Sequence, residues 1–425
     1  MKPFRNSQKG PGGHPHEGHV WMGVCILLAC FAFAGIVSGA ANLITGPSVI
    51  SVPGTYILAN DITNSNTPIC IQITAPNVVL DGKGYSIDGI DGSNSIGIKV
   101  YNSAMTLFNV IIKNLDISDW GTGVLLQNVK NSQLQSVSAT SNTGNGIALQ
   151  GASRNVVTSC TASSNGGVGI ILYSSSDSNT VTGNTAQGNE LDGIRIRLSS
   201  NNDILRNKVA DNKKNGINLN EAAHFNTLTD NTITGNKGDA VTVYKSDGNV
   251  ISKNTIDNND VVGIRVYEDS DNNEISKNTI TNTKNYDGIS IYTAADDNMI
   301  FSNTVENSAK RGIWLQNANR NSFYNNVVKD NGDEGVYLTN TSSNVFVNNY
   351  FSNDKNIVVA AGVGANTWNL SRSNQRSVTG LGGSGGNYWG QPDGKGFSQV
   401  TPATRGICDQ PYTIASNNID KLPLS

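Results

Sequence analysis

The sequence predicts an all-β solenoid, a right-handed parallel β-helix of roughly ten or more coils behind an N-terminal apolar helix, and three observations carry that prediction. The first is a recurring strand: a glycine followed by alternating apolar residues, as in Gly97-Ile98-Lys99-Val100, Gly193-Ile194-Arg195-Ile196, Gly263-Ile264-Arg265-Val266 and Gly288-Ile289-Ser290-Ile291, with Ala240 replacing the glycine in one copy. The second is the interval, which settles at 23 to 25 residues after Gly123. The third is a pair of asparagine columns. One runs Asn155, Asn179, Asn202, Asn226, Asn249, Asn273, Asn298, Asn321, Asn344; the other follows five residues later from Asn184 to Asn349, with Cys160 in its first slot.

Period-two alternation means strand, and strands this short do not fold alone. A repeat with two or three such strands closes one coil. Coils stacked at about 4.8 Å pair each strand with its neighbours above and below and bury a column of Ile, Val and Leu. Parallel crossover connections make the expected hand right. Asparagine tolerates the left-handed turn, and stacked amides bond along the axis, so both columns are expected to build scaffold.

Residues 1–41 form a polar leader followed by an apolar run, Val20 to Val37, then Ser38, Gly39, Ala40 and Ala41. This reads as a signal peptide or a membrane anchor, and either places the remainder outside the cytoplasm. His14, His16 and His19 sit in the polar leader. Residues 42–96 read as an N-terminal cap and first coils, 97–360 as the repeats, and 361–425 as a C-terminal cap closed by Trp368, Tyr388 and Trp389. A formal charge of −3 gives no electrostatic case for nucleic acid. Cys70, Cys160 and Cys408 are too few and too scattered for a disulfide framework.

Outward columns follow from the alternation. Four residues past the glycine lie Tyr244, Tyr267 and Tyr292 on consecutive coils; two residues past it lie Arg265, Trp314 and Tyr337. An aromatic strip on a flat sheet suits sugar rings, and equally suits packing between coils. One residue before the glycine lie Asp192, Asp239, Asp287, Arg311 and Glu334, on what the turn position suggests is a solvated edge. Asp239, Asp287 and Glu334 are the catalytic candidates, the first two about 9.6 Å apart by coil spacing, a separation compatible with inversion. Asp393, Asp409 and Asp420 offer oxygen ligands for Ca²⁺ without the spacing of a tight loop. Asn340-Thr341-Ser342 and Asn369-Leu370-Ser371 are glycosylation sequons.

The repeat, the opening Ile50-Ser51-Val52-Pro53-Gly54-Thr55-Tyr56-Ile57-Leu58 with Val79-Leu80-Asp81-Gly82-Lys83-Gly84-Tyr85, and the close with Gly386-Asn387-Tyr388-Trp389-Gly390 and Asp409-Gln410-Pro411-Tyr412 resemble the NosD-like and carbohydrate-binding, sugar-hydrolase β-helix proteins, in particular archaeal surface proteins. That resemblance implies a pectin-lyase-like solenoid at the cell surface or secreted; the regular stack and the Tyr244, Tyr267 and Tyr292 strip add the expectation of a glycan-binding or structural envelope component without catalysis, with an envelope polysaccharide as partner. Its alternatives are a polysaccharide lyase, hydrolase or epimerase, and a periplasmic copper-handling protein. The Gly-His-Gly and Asp-Pro-His-Asp motifs of the enzymes are absent. Copper needs soft or imidazole ligands, and beyond residue 41 there are three Cys, His224, Met105 and Met299.

Overall fold

Each repeat folds into three short strands because three apolar runs are separated by residues that accept a left-handed turn. In one coil Ile147–Gln150, Val156–Thr158 and Thr161–Ser163 are the strands. Arg154, Ser159 and Ser164, all with φ near +55°, make turns around them. The computed structural model describes residues 41–425, apart from the side chains of Asn374 and Gln375. The expected leader and apolar helix lie outside the described residues. Among the described residues no helix is long and apolar enough to cross a membrane.

Stacking gives three parallel sheets over about 14 turns. The first sheet takes the glycine-led strands, from Ser48–Ile50 to Ile357–Val359, in strict register: Ile170, Ile194, Ile217, Val241, Ile264, Ile289, Ile313 and Val336 pair in succession. The second runs from Asn42–Ile44 to Val345–Val347, and the third ends at Tyr388–Gly390. Near the N-terminus, Ser86–Val100 and Ile111–Gln127 run as single strands of 15 and 17 residues, so those coils pass from third to first sheet without the usual break. The inward side chains form one column-like core from Ile44 to Trp389. It becomes aromatic toward the C-terminus, where Phe323, Phe346 and Trp368 stack with ring centroids 4.6 Å apart.

The asparagine columns are ladders. Asn254 shows the pattern: its Oδ1 accepts from the Asn231 backbone N–H (2.9 Å) and Nδ2 (3.0 Å), while its Nδ2 donates to the Leu228 carbonyl (2.9 Å) and Asn278 Oδ1 (3.0 Å). Cys160 occupies a ladder slot as expected, its N–H donating to Asn184 Oδ1 at 2.8 Å. The structure adds a third ladder, Asn142, Asn165, Asn189, Asn212, Asn236 and Asn259, buried and bonded in the same way. Its members stand ten residues after the first marker, a spacing the sequence carries.

The C-terminal cap closes the stack with large rings. Trp389 packs on Phe351 (5.0 Å) and Tyr412 (4.7 Å), and Tyr388 stacks on Tyr350 (4.5 Å). A one-turn helix, Phe397–Val400, supplies Ser398 Oγ as acceptor for the Trp389 N–H. Asp420 is fully buried beneath this cap. Its Oδ2 accepts from the Asn387 N–H (2.7 Å) and Trp389 Nε1 (3.0 Å), and its Oδ1 from the Leu422 N–H (3.1 Å). No cation pairs with it among the described residues, and burial pushes its carboxyl up to about 6 despite those donors.

Two outcomes are expected. Asn254→Ala strands the Asn231 N–H and removes one partner each from Asn231 Nδ2, the Leu228 carbonyl and Asn278 Oδ1, and lowers stability by about 3 kcal/mol, read from chemical unfolding; a loss below about 0.5 kcal/mol would refute the ladder's role. Because Asp420 holds its proton more tightly folded than at its ordinary 3.8, its contribution is present at acid pH and is lost as pH rises from 3.8 through about 6. The difference in melting temperature between wild type and Asp420→Asn should therefore change across that window; a pH-independent difference contradicts the assignment.

Candidate functional site

The outward face of the first sheet is where the sequence-predicted residues meet. Cross-coil register lines up Arg195, Asn218, Thr242, Arg265, Ser290, Trp314 and Tyr337 in one column and Arg197, Asn220, Tyr244, Tyr267, Tyr292 and Gln316 in the next. Alternation forces this: Ile264 and Val266 fill the core, so Arg265 and Tyr267 must point out. Tyr244 meets Tyr267 at 4.9 Å, Tyr267 stacks on Tyr292 at 5.2 Å, and Tyr292 stacks on Trp314 at 5.4 Å, so the strip crosses from one column to the other. Tyr337 instead lies under the Arg311 guanidinium, 4.4 Å from its ring centroid. Tyr267, between two rings, has its hydroxyl pushed up to about 12, by burial first and then by Tyr292.

The acids before the glycines are not on a solvated edge. Asp192, Asp239 and Asp287 are buried, because each sits where the next coil presents a backbone N–H. Asp239 Oδ1 accepts from the Val262 N–H (3.1 Å) and Arg265 Nη2 (2.8 Å), and its Oδ2 from Thr242 Oγ1 (3.0 Å). Asp287 accepts from the Arg311 N–H (3.2 Å) and Ser290 Oγ (2.9 Å). Burial raises both carboxyls above the usual range, against the pull of Arg265 on Asp239 and of Ser290 and Arg311 on Asp287. Glu334 lies between Arg311 (3.4 Å) and Lys355 (3.5 Å). The three candidates thus share one edge, with the coil of Val262 between the first two.

Charge on this face is balanced pairwise. Arg195 meets Asp192 at 2.6 Å, Arg197 meets Glu221 at 2.6 Å, Arg265 meets Asp239 at 2.8 Å, and Arg311 lies 3.7 Å from Asp287. Arg265 Nη1 also donates to the Tyr292 hydroxyl at 3.1 Å. Lys245 rides over the Tyr244 ring at 5.1 Å, with Glu268 and Asp269 countering its charge. Some polar atoms are left over: Asn218 Oδ1, Asn220 Oδ1 and Arg265 Nε are shielded from water and have no hydrogen-bond partner. Nothing in the sequence marks these atoms, because their isolation depends on neighbouring donors being committed elsewhere.

Metal ligands do not assemble. Among the described residues no three His, Cys, Asp or Glu side chains gather as a site. Asp393 pairs with Lys395, Asp409 accepts from Thr404 Oγ1, and Asp420 is enclosed in the cap, so the three are engaged separately. Cys70, Cys160 and Cys408 are free and buried, and burial pushes the first two thiols up to about 11, away from the thiolate that soft metals need. His224 spends Nδ1 on the Asp247 N–H (3.0 Å). His14, His16 and His19 lie outside the described residues.

The family model described as periplasmic copper-binding protein (NosD) matches residues 239–394, and that described as right handed beta helix region matches residues 96–256. None of the curated proteins compared matches the chain. Among solved structures, the A-module of the mannuronan C-5 epimerase AlgE6 of Azotobacter vinelandii is similar at 16% identity and TM-score 0.59, over 74% of this chain and 90% of that one. A mutant of the periplasmic alginate epimerase AlgG is similar at 14% identity and TM-score 0.52, over 72% and 79%. Gene product 12 of bacteriophage phi29, in its pre-mature form, is similar at 14% identity and TM-score 0.53, over 70% and 51%. These likenesses establish the architecture. The copper of the NosD description has no fitting ligand set among the described residues. With its register and its ladders the chain folds as a right-handed parallel β-helix, similar over residues 239–394 to the NosD model and over residues 96–256 to the right-handed β-helix model.

Proposed function

We propose that this chain is an exported cell-surface or envelope protein that binds polysaccharide along the outward face of its first sheet and does not turn it over. The observation that carries the reading is the aromatic strip Tyr244–Tyr267–Tyr292–Trp314, continuous over four coils and bordered by Arg265 and Arg311. Tyr267 has a ring against each side, so its contribution to a ligand is its hydroxyl and ring edge, while Tyr244 and Trp314 end the strip. The coil spacing of about 4.8 Å is close to the advance of one pyranose unit in an extended chain, so a polymer laid along the axis meets a similar edge at each step. The NosD description as periplasmic supports an extracytoplasmic place. The residue 20–37 segment would supply a membrane attachment if retained.

A second reading is a polysaccharide lyase, hydrolase or epimerase, favoured by the raised carboxyls of Asp239 and Asp287. A buried acid with a raised pKa is a pattern of catalytic sites. Here both oxygens of each acid are already engaged by the chain's own donors, which supports a structural role instead. The full-length protein, mixed with neutral and uronic-acid polysaccharides, should bind without releasing shorter products; product release that disappears in Asp239→Asn or Asp287→Asn would establish the enzyme. Replacing Tyr244, Tyr267 and Tyr292 together by Ala should abolish binding with the β-type circular dichroism unchanged. Undiminished binding by that variant would remove the strip from the argument.

A further inference from the structure

We infer that this face selects an uncharged, hydroxyl-rich glycan over a uronate polymer, and that Asn218, Asn220 and Arg265 are the residues that make the selection. The inference rests on the glycan-binding reading and adds the substrate class. Two independent features of the face carry it.

The first is the kind of atom left unpaired. Asn218 is 7% exposed, and its orientation is fixed because its Nδ2 donates to Asp192 Oδ2 at 3.0 Å. Its Oδ1 is therefore an acceptor with no donor. The nearest column neighbour, Thr242, spends its hydroxyl proton on Asp239. Asn220 Oδ1, two residues along the same strand, is a second idle acceptor, and Arg265 Nε, two coils on, is an idle donor. A buried polar group without a partner costs about 1–3 kcal/mol, and a ligand that supplies the partner recovers part of it. A hydroxyl both donates and accepts, so a sugar spanning Asn218 to Arg265 satisfies both kinds of atom. A uronate keeps its ring hydroxyls, but its carboxylate takes the place of the C6 hydroxyl, only accepts, and brings nothing to the two amide oxygens.

The second feature is charge. Recognition of a uronate calls for a free guanidinium that can take a carboxylate in a two-pronged pair. Arg195, Arg197, Arg265 and Arg311 each already face a carboxylate of this chain. A polyuronate laid here brings further negative charge to Asp192, Asp239, Asp287 and Glu334.

The test is calorimetric titration of the full-length protein with neutral β-1,4-linked gluco-, manno- and xylo-oligosaccharides and with oligomers of mannuronate and galacturonate of equal length. At least one neutral oligosaccharide should bind about tenfold or more tightly than either uronate. Asn220→Leu, at a half-buried outward position that leaves the ladders intact, should weaken neutral binding about tenfold, and Asn218→Leu should do the same. Asp239→Asn keeps Oδ1 as acceptor for the Val262 N–H and turns an Nδ2 donor toward the Thr242 hydroxyl, which can accept, but removes the charge that holds Arg265, so uronate binding should increase. Uronate binding as tight as neutral binding, undiminished neutral binding by both Asn variants, or no uronate gain in Asp239→Asn overturns the selection while leaving a glycan-binding face. Absence of binding by either class overturns the glycan-binding reading as well.

Discussion

An asparagine side chain bonded to its counterpart on the next coil is the contact on which the remainder of the structure depends. Its Oδ1 takes the N–H of the preceding coil's asparagine and its Nδ2 reaches the next, so one residue type closes turns that would otherwise bury unpaired backbone groups. Three such ladders hold the corners of the stack. Without them, strands of three or four residues would have only their pairing along the axis and a narrow Ile and Val column to set their register. The Gly-Ile strand is coupled to the same device. A Cβ at Gly193 would press on Val209 and Asn212 Nδ2, and one at Gly146 on Asn165 Nδ2, so the glycine makes room for the third ladder.

Much of this is legible in the sequence, and the reasons are physical. A period of 23 to 25 residues with period-two alternation leaves no other economical fold, and register follows once Ile264 or Ile289 is assigned inward. The aromatic strip is legible for the same reason, since outward positions on consecutive coils must adjoin. The third ladder is written in the spacing but needs the turn geometry to be recognised. The position of the acids is not legible. Aspartate before glycine at a turn suggests solvent, whereas stacking converts that turn into an internal corner where Asp239 and Asp287 receive the next coil's N–H. Vacant hydrogen-bonding capacity is harder still, because it is a property of how several side chains divide their donors.

The division of labour between inside and outside explains how such a chain diverges in use while keeping its architecture. Inward columns and ladders are constrained at nearly every position; outward positions on the first sheet are constrained only to stay β-compatible. Here they hold a mixed band, polar from Arg195 to Thr242 and aromatic from Tyr244 to Tyr337, with paired charges throughout. Pairing keeps the band close to neutral and holds its long side chains in place. The C-terminal cap serves a different need. Trp368, Trp389 and Tyr412 cover the last coil, whose open strand edges would otherwise invite association.

The measurement that tests the central claim most directly is amide hydrogen exchange of the full-length protein with and without a bound neutral oligosaccharide, resolved by peptide. Added protection should be confined to the first-sheet strands Ile217–Asn220, Val241–Tyr244, Ile264–Tyr267 and Ile289–Tyr292 and the turns beside them. Protection confined to the second or third sheet or to the C-terminal cap would contradict the account.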